Sequence, residues 1–344
     1  MKEDLEKIIG FDALYQSMLR CKKGVLWKDS VARFYHDAPT EVMRLSQELR
    51  HQQYRHQLPQ RFEIHQPKKR EVIGIAFRDR VFQRSLNDHA VYPQMVRHFI
   101  YDNSACQAGK GTTFARERLH CFLQKFYRRH GRNGYILQCD IAGYYPNMRH
   151  DVAEAQMERY LTPGVYELVH KVLACQSDGE VGYLPGSQMV QIAGIATLNP
   201  LDHFIKERLR IKYYLRYMDD FLLIHEDADY LVECCRQIEQ KLAKIGLQLH
   251  PKKTRLYPLT ERIKFLGFYH FLTDTGKVVA LVDPKNVKLQ RARLKRLVRK
   301  AKRGELTREK VNECYASWRA HVMQGNSVKL LQRMDKYYKD LWKE

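Results

Sequence analysis

Tyr214-Leu215-Arg216-Tyr217-Met218-Asp219-Asp220-Phe221-Leu222-Leu223-Ile224 is the stretch on which the reading of this chain turns. Apolar, strand-forming residues flank two adjacent acids. Strands tolerate Asp poorly, so the pair predicts a hairpin turn between two strands. Such a turn presents its carboxylates at the rim of a buried core. Hard Mg2+ prefers carboxylate oxygen and keeps waters and substrate phosphates, so the placement suits a divalent cation. A plain Asp-Asp surface turn accounts for this stretch as well; a third acid upstream shifts the balance.

That acid is Asp140. It follows Gly134-Tyr135-Ile136-Leu137-Gln138-Cys139, which reads as a short buried strand, and precedes Ile141-Ala142-Gly143-Tyr144-Tyr145-Pro146. An acid at one strand end and a pair in a nearby hairpin turn can hold two metal ions about 3.5–4 Å apart, the arrangement that activates the attacking oxygen and stabilises the leaving one in phosphoryl transfer. Asp140 also suits a helix N-cap or turn, and the two roles are compatible.

At these residues the chain resembles a bacterial reverse transcriptase. Asp140 with Tyr144-Tyr145 resembles the first palm motif, and Tyr217-Met218-Asp219-Asp220 the YxDD turn. Pro67-Lys68-Lys69-Arg70-Glu71-Val72 and Phe77-Arg78-Asp79-Arg80 resemble the fingers, followed by Ala108-Gly109-Lys110-Gly111-Thr112. Gly182-Tyr183-Leu184-Pro185-Gly186-Ser187-Gln188 stands at the template- and nucleotide-contacting position. Ile245-Gly246-Leu247-Gln248-Leu249 with Pro251-Lys252-Lys253-Thr254 resembles the fourth palm motif, and Phe265-Leu266-Gly267-Phe268 the primer grip. A single YxDD is weakly specific; segments in family order over roughly residues 45 to 335 are strongly so.

The resemblance implies roles. Asp140, Asp219 and Asp220 would bind two Mg2+ ions, with Mn2+ able to substitute and the carbonyl of Ile141 an extra ligand. Tyr145 matches the steric gate that favours dNTPs over rNTPs. Lys69, Arg70 and Arg78 are candidates for the incoming triphosphate, and Lys253 for aiding pyrophosphate departure; each is also explicable as a solvated surface charge. Gly186 and Gln191 match nucleotide-site positions, although Val190 stands where Ser is expected. Leu198-Asn199-Pro200-Leu201-Asp202-His203-Phe204 and the short, basic C-terminus look most like the diversity-generating group; Val190 weakens that assignment and leaves defence-associated enzymes open.

Composition agrees with a polyanionic partner. The chain has 344 residues and a formal net charge of +21, for which nucleic acid is the natural counterpart. No apolar run reaches bilayer length, and the N-terminus lacks the pattern of a secretory signal, so no membrane role and a cytoplasmic location are expected. The length leaves little room for a large nuclease or integration domain beside a polymerase core. Eight scattered cysteines without a CxxC pair read as reduced, mostly buried thiols rather than a zinc site.

The expected fold is α+β, a right-hand polymerase with an RRM-like palm, fingers and a helical thumb. Residues 1–50 read as a helical extension, 51–133 as fingers, 134–272 as palm and 273–344 as a basic thumb. The palm order expected is strand, helix, helix, strand hairpin, helix, strands. In the thumb, Leu289, Leu294, Leu297 and Val298 predict a packing stripe on a helix over 288–303 whose other face is cationic and suited to a duplex backbone. The function expected is RNA-directed DNA synthesis in a bacterial retroelement or antiphage system. The partners expected are an RNA template, a DNA primer and product, dNTPs, and a cognate structured RNA and accessory protein. The alternative is a catalytically silent or non-templated nucleic-acid-binding protein that keeps the polymerase fold.

Overall fold

The computed structural model describes residues 2–65, 69–177 and 179–343. It opens with α1 (Lys2–Ile9), α2 (Phe11–Cys21), α3 (Asp29–His36) and α4 (Ala38–Arg50), where the apolar spacing predicts helices. The end of α1 is tied down by side chains: Ser46 Oγ donates to the Ile9 carbonyl and Ser85 Oγ to that of Ile8, both at 2.6 Å. These bonds satisfy carbonyls that a helix C-terminus leaves without partners.

Strands β1 (Gln60–Ile64) and β2 (Arg70–Gly74) form an antiparallel hairpin with Phe62 opposite Val72. Pro67 and Lys68 of the segment that resembles the fingers lie outside the described residues. Helix α5 (Phe77–Leu86) passes through a π turn at Asn87–Val91 into α6 (Tyr92–Val96). Helix α7 (Thr112–His130) ends on Gly131, whose φ of 60° reverses the chain.

After β3 (Tyr135–Asp140) come α8 (Tyr144–Asn147), α9 (His150–Tyr160), α10 (Pro163–Ala174), α11 (Gln188–Thr197) and α12 (Asn199–His203), then a π turn at Phe204–Arg208. The expectation of two helices here is corrected: Pro163 and Pro200 each start a new one, their fixed φ suiting a first turn. Strands β4 (Tyr213–Tyr217) and β5 (Asp220–His225) precede α13 (Ala228–Ala243), β6 (Arg255–Pro258), β7 (Ile263–Phe265), β8 (Phe268–Leu272) and β9 (Val278–Val282). The chain closes with α14 (Pro284–Lys302), α15 (Arg308–Val322) and α16 (Val328–Lys343). One sheet has the order β4-β5-β3-β6, with Leu137 opposite Leu256; β7, β8 and β9 form a separate antiparallel meander.

Contacts divide the chain into two compact units. One comprises Met1–Ala108, Cys139–Phe221 and Glu233–Thr254; the other Gly109–Gln138, Leu222–Val232 and Arg255–Glu344. In the second, Phe268, Leu294, Val298, Val311, Val322 and Met334 belong to one buried apolar cluster. Leu289 does not join it. It is 71% exposed, whereas Gln290 is buried. At 100° per residue Leu289 lies about 140° from Leu294 and about 180° from Val298, so the seam through those two leaves it facing water. The cysteines are free, but only Cys139 and Cys234 are buried; Cys106 and Cys175 are exposed, which corrects the expectation of mostly buried thiols. Both exposed thiols sit outside helices and strands, where the chain runs over the surface.

Within the second unit His120 Nε2 lies 2.8 Å from His270 Nδ1. Burial, then the neighbouring His120, pulls His270 down to about 4. An unfolded His270 gains its proton near 6.5, the folded one only near 4, so this group's contribution to stability is full above 6.5 and falls with pH below it. Between pH 7 and 5 the loss is expected to reach about 2 kcal/mol. Urea melts of wild type and His270→Gln at both pH values check this. An equal pH response of the two proteins would refute it.

Candidate active site

Asp140 ends β3 and is only 8% exposed. The backbone on either side of its side chain is pinned by the segment after α13. Ile141 bridges Leu249, the Ala142 N–H donates to Gln248 O at 2.9 Å, and the His250 N–H donates to Asp140 O at 2.7 Å. Gly246, at φ 76°, turns the chain after α13 so that this segment can return. In the turn beyond it, Lys253 Nζ donates to both Asp140 oxygens, at 2.7 and 2.8 Å.

The hairpin predicted at the paired acids forms, with Met218 and Asp219 as the turn between β4 and β5. Met218 has φ 55°, which side-chain-bearing residues rarely adopt. Burial, then the charges of Asp219 and Asp140, push the Asp220 carboxyl up to about 7. Burial also raises Asp219; Asp140 adds to the rise, while Lys253 and Arg70 oppose it.

A cavity of about 700 Å³ joins Asp140, Ile141, Asp219 and Lys253 to Tyr145, Lys69 and Arg70. Lys69 also pairs with Glu63 at 2.9 Å. Tyr145 follows the buried Tyr144, whose hydroxyl donates to the Gly194 carbonyl. Other expected residues stand elsewhere. Arg78 is paired with Glu48 and lies over the Tyr54 ring at 5.3 Å; with Gly186 it lines a second cavity. Gln191 lines a third, beside Cys106, whose Sγ lies 3.8 Å from Gln191 Oε1 and from Met218 Sδ.

Gly186 has a backbone role. A β-carbon there would meet the Ile73 carbonyl oxygen at 2.1 Å, and the Ile73 N–H donates to Pro185 O at 3.0 Å. This contact seats the loop before α11 against β2. Gly186→Ala is expected to cost on the order of 3 kcal/mol, since backbone has to move. Denaturant melts test this; a loss within a few tenths of a kcal/mol would contradict it.

Sequence reasoning passed over Arg216 and Asp202. Both are wholly buried and paired at 2.5 Å. The only sequence signal was an arginine inside an otherwise apolar strand.

Among the described residues, no three His, Cys, Asp or Glu side chains close into a metal cage. The donor chemistry nevertheless fits a hard divalent cation. Asp140, Asp219 and Asp220 are carboxylates, the last two raised by burial and then by neighbouring carboxylates, a penalty that positive charge relieves. In this structure the Lys253 ammonium supplies positive charge to Asp140.

The chain matches the reverse transcriptase (RNA-dependent DNA polymerase) family over residues 66–270. No curated protein sequence matches it. Among solved structures it is similar to telomerase from Candida albicans in complex with a TWJ fragment of telomeric RNA, with 14% identity, 84% of this chain and 56% of that one covered, and a TM-score of 0.51. Apo telomerase from Candida tropicalis, truncated from its C-terminal domain, matches with 12% identity, coverage of 64% and 54%, and a TM-score of 0.48. The chain spans about half the length of these telomerases. The likeness shows the fold, the mixed helix-and-sheet architecture of a right-hand polymerase.

Proposed function

Because the chain belongs to the reverse transcriptase (RNA-dependent DNA polymerase) family, we propose that it copies RNA into DNA at the cavity bearing Asp140, Asp219 and Tyr145. The observation that carries this reading is the gathering of Asp140, Asp219 and Asp220 at the end of β3 and the β4–β5 turn, where burial and neighbouring carboxylates raise Asp219 and Asp220. Mg2+ bound there would supply the charge that activates a primer 3′-hydroxyl and steadies the departing pyrophosphate. Asp140, Asp219 and Asp220 would hold the ion. Lys69 and Arg70 face the cavity with cations suited to a triphosphate, and Lys253 places a proton donor beside Asp140. Tyr145 restricts the sugar.

Helix α14 exposes Arg293, Lys295, Arg296 and Arg299, with no acid between Asp283 and Glu305. Such a face neutralises a duplex backbone without reading its sequence. The net charge of +21 supports nucleic acid as the partner. A cytoplasmic bacterial retroelement or antiphage system is the setting we favour, on the resemblance of the Leu198-Asn199-Pro200-Leu201-Asp202-His203-Phe204 segment to the diversity-generating enzymes. Among the described residues, no helix is long and apolar enough to cross a membrane.

The test is primer extension on RNA with dNTPs. Extension with Mg2+, abolished by EDTA and restored by excess Mg2+ or Mn2+, is the expected result. Failure to extend, both alone and with RNA copurified from the host, would overturn the reading.

A further inference from the structure

We propose that Arg216 is a positioning residue for the Asp219–Asp220 turn, acting through the Met218 carbonyl and anchored by Asp202. The inference deepens the proposed function and rests on the reading of those two acids as the reactive pair. Arg216 is among the largest fully buried side chains, and Asp202 is equally buried. Arg216 Nε donates to Asp202 Oδ1 at 2.7 Å, and Nη2 donates to Oδ2 at 2.5 Å. Nη1 donates to the Met218 carbonyl at 3.0 Å, and Nη2 reaches Ile195 O at 3.3 Å. The Tyr214 hydroxyl donates to the same Asp202 Oδ1 at 2.6 Å. The Arg216 backbone is clamped too: its N–H donates to Asp102 O at 3.1 Å, and its carbonyl accepts from Ser104 N–H at 2.9 Å.

A buried ion pair adds little net stability, because desolvation offsets the attraction; well-packed apolar residues often do as well. What the guanidinium adds here is direction. Its planar fork grips Asp202 with one edge, which leaves a third N–H aimed at one carbonyl. That carbonyl belongs to Met218, the residue at φ 55°. Left-handed backbone is costly for a residue that bears a side chain. The bond from Arg216 offsets this cost and fixes the peptide that leads into Asp219. A lysine has no planar fork with which to serve both partners.

The test compares wild type with Arg216→Lys, with Arg216→Met/Asp202→Leu, and with the latter pair plus Met218→Gly. The Met/Leu pair leaves no orphaned charge; should it fail to fold, Arg216→Lys, which keeps the positive charge opposite Asp202, carries the comparison. Primer extension is expected to lose about 100-fold in kcat with little change in KM for dNTP, the scale of a small misplacement of reacting groups. Met218→Gly, which adopts positive φ freely, is expected to restore about tenfold of that loss. Hydrogen exchange on the metal-free protein is expected to quicken in the peptide spanning 217–221 and nowhere else. Wild-type kcat and unchanged turn exchange in the folded variants would overturn the proposal, as would loosening spread throughout β4 without rescue by glycine. If wild type itself makes no DNA, the functional reading fails, and the exchange experiment still decides the role of Arg216.

Discussion

Asp219→Ala/Asp220→Ala is expected to lower RNA-templated dNTP incorporation at least about a thousandfold while making the metal-free protein more stable at neutral pH. The two effects have one cause. Asp220 titrates near 3.8 when unfolded and about 7 when folded, because burial and the charges of Asp219 and Asp140 oppose its ionisation. Between those pH values the unfolded chain has released a proton that the folded one keeps. Stability from this group is therefore full below 3.8 and is lost as pH rises toward 7. Three pH units amount to about 4 kcal/mol, and water at the partly exposed turn reduces the penalty to about 2 kcal/mol. Removing the acids removes the penalty and, with it, the charge that would hold Mg2+. Melting temperatures in EDTA and in Mg2+ test both halves. Wild type is expected to gain stability from Mg2+ by mass action, and the variant to gain none there. Undiminished synthesis by the variant would refute the assignment of these acids.

Tyr145→Ala is expected to lower the preference for dNTP over rNTP by about 100-fold, measured as the ratio of the two kcat/KM values. The ring is held where it can act as a wall. A β-carbon at Gly194 would lie 3.3 Å from its Cε1 and 3.4 Å from its hydroxyl, so bare backbone backs the ring closely. Tyr144 lies beside it with ring centroids 5.4 Å apart, and the Tyr145 carbonyl accepts from the Tyr183 N–H at 2.9 Å. A ring so supported cannot swing aside for an extra hydroxyl on the sugar. Tyr145→Phe keeps the wall and is expected to discriminate like wild type. An unchanged ratio in Tyr145→Ala would remove Tyr145 from this role.

Asp140, Asp219 and Asp220 were legible because acids are out of place beside apolar strand runs, and the local pattern alone marks a strand end and a turn. The helical character of residues 1–50 was legible for the same reason: apolar periodicity acts over a few positions. Leu289 shows the limit. Its apolar character suggested a seam that helical geometry, once fixed by Leu294 and Val298, assigns to Gln290. Arg78 and Gln191 show another, since sequence can mark a residue as suitable for a nucleotide but not which of several cavities it will line.

The sequence by itself determined the N-terminal helices, the acidic turn and the family, but not the number of helices between β3 and β4. Only the tertiary structure decided that Lys253 reaches Asp140 across 113 positions and that Arg216 finds Asp202 in a dry interior. The physical reason is that a charge is defined by its partner and its solvent. Strand and helix preferences are local and are written in neighbouring residues; burial and pairing depend on chain segments that meet only after folding.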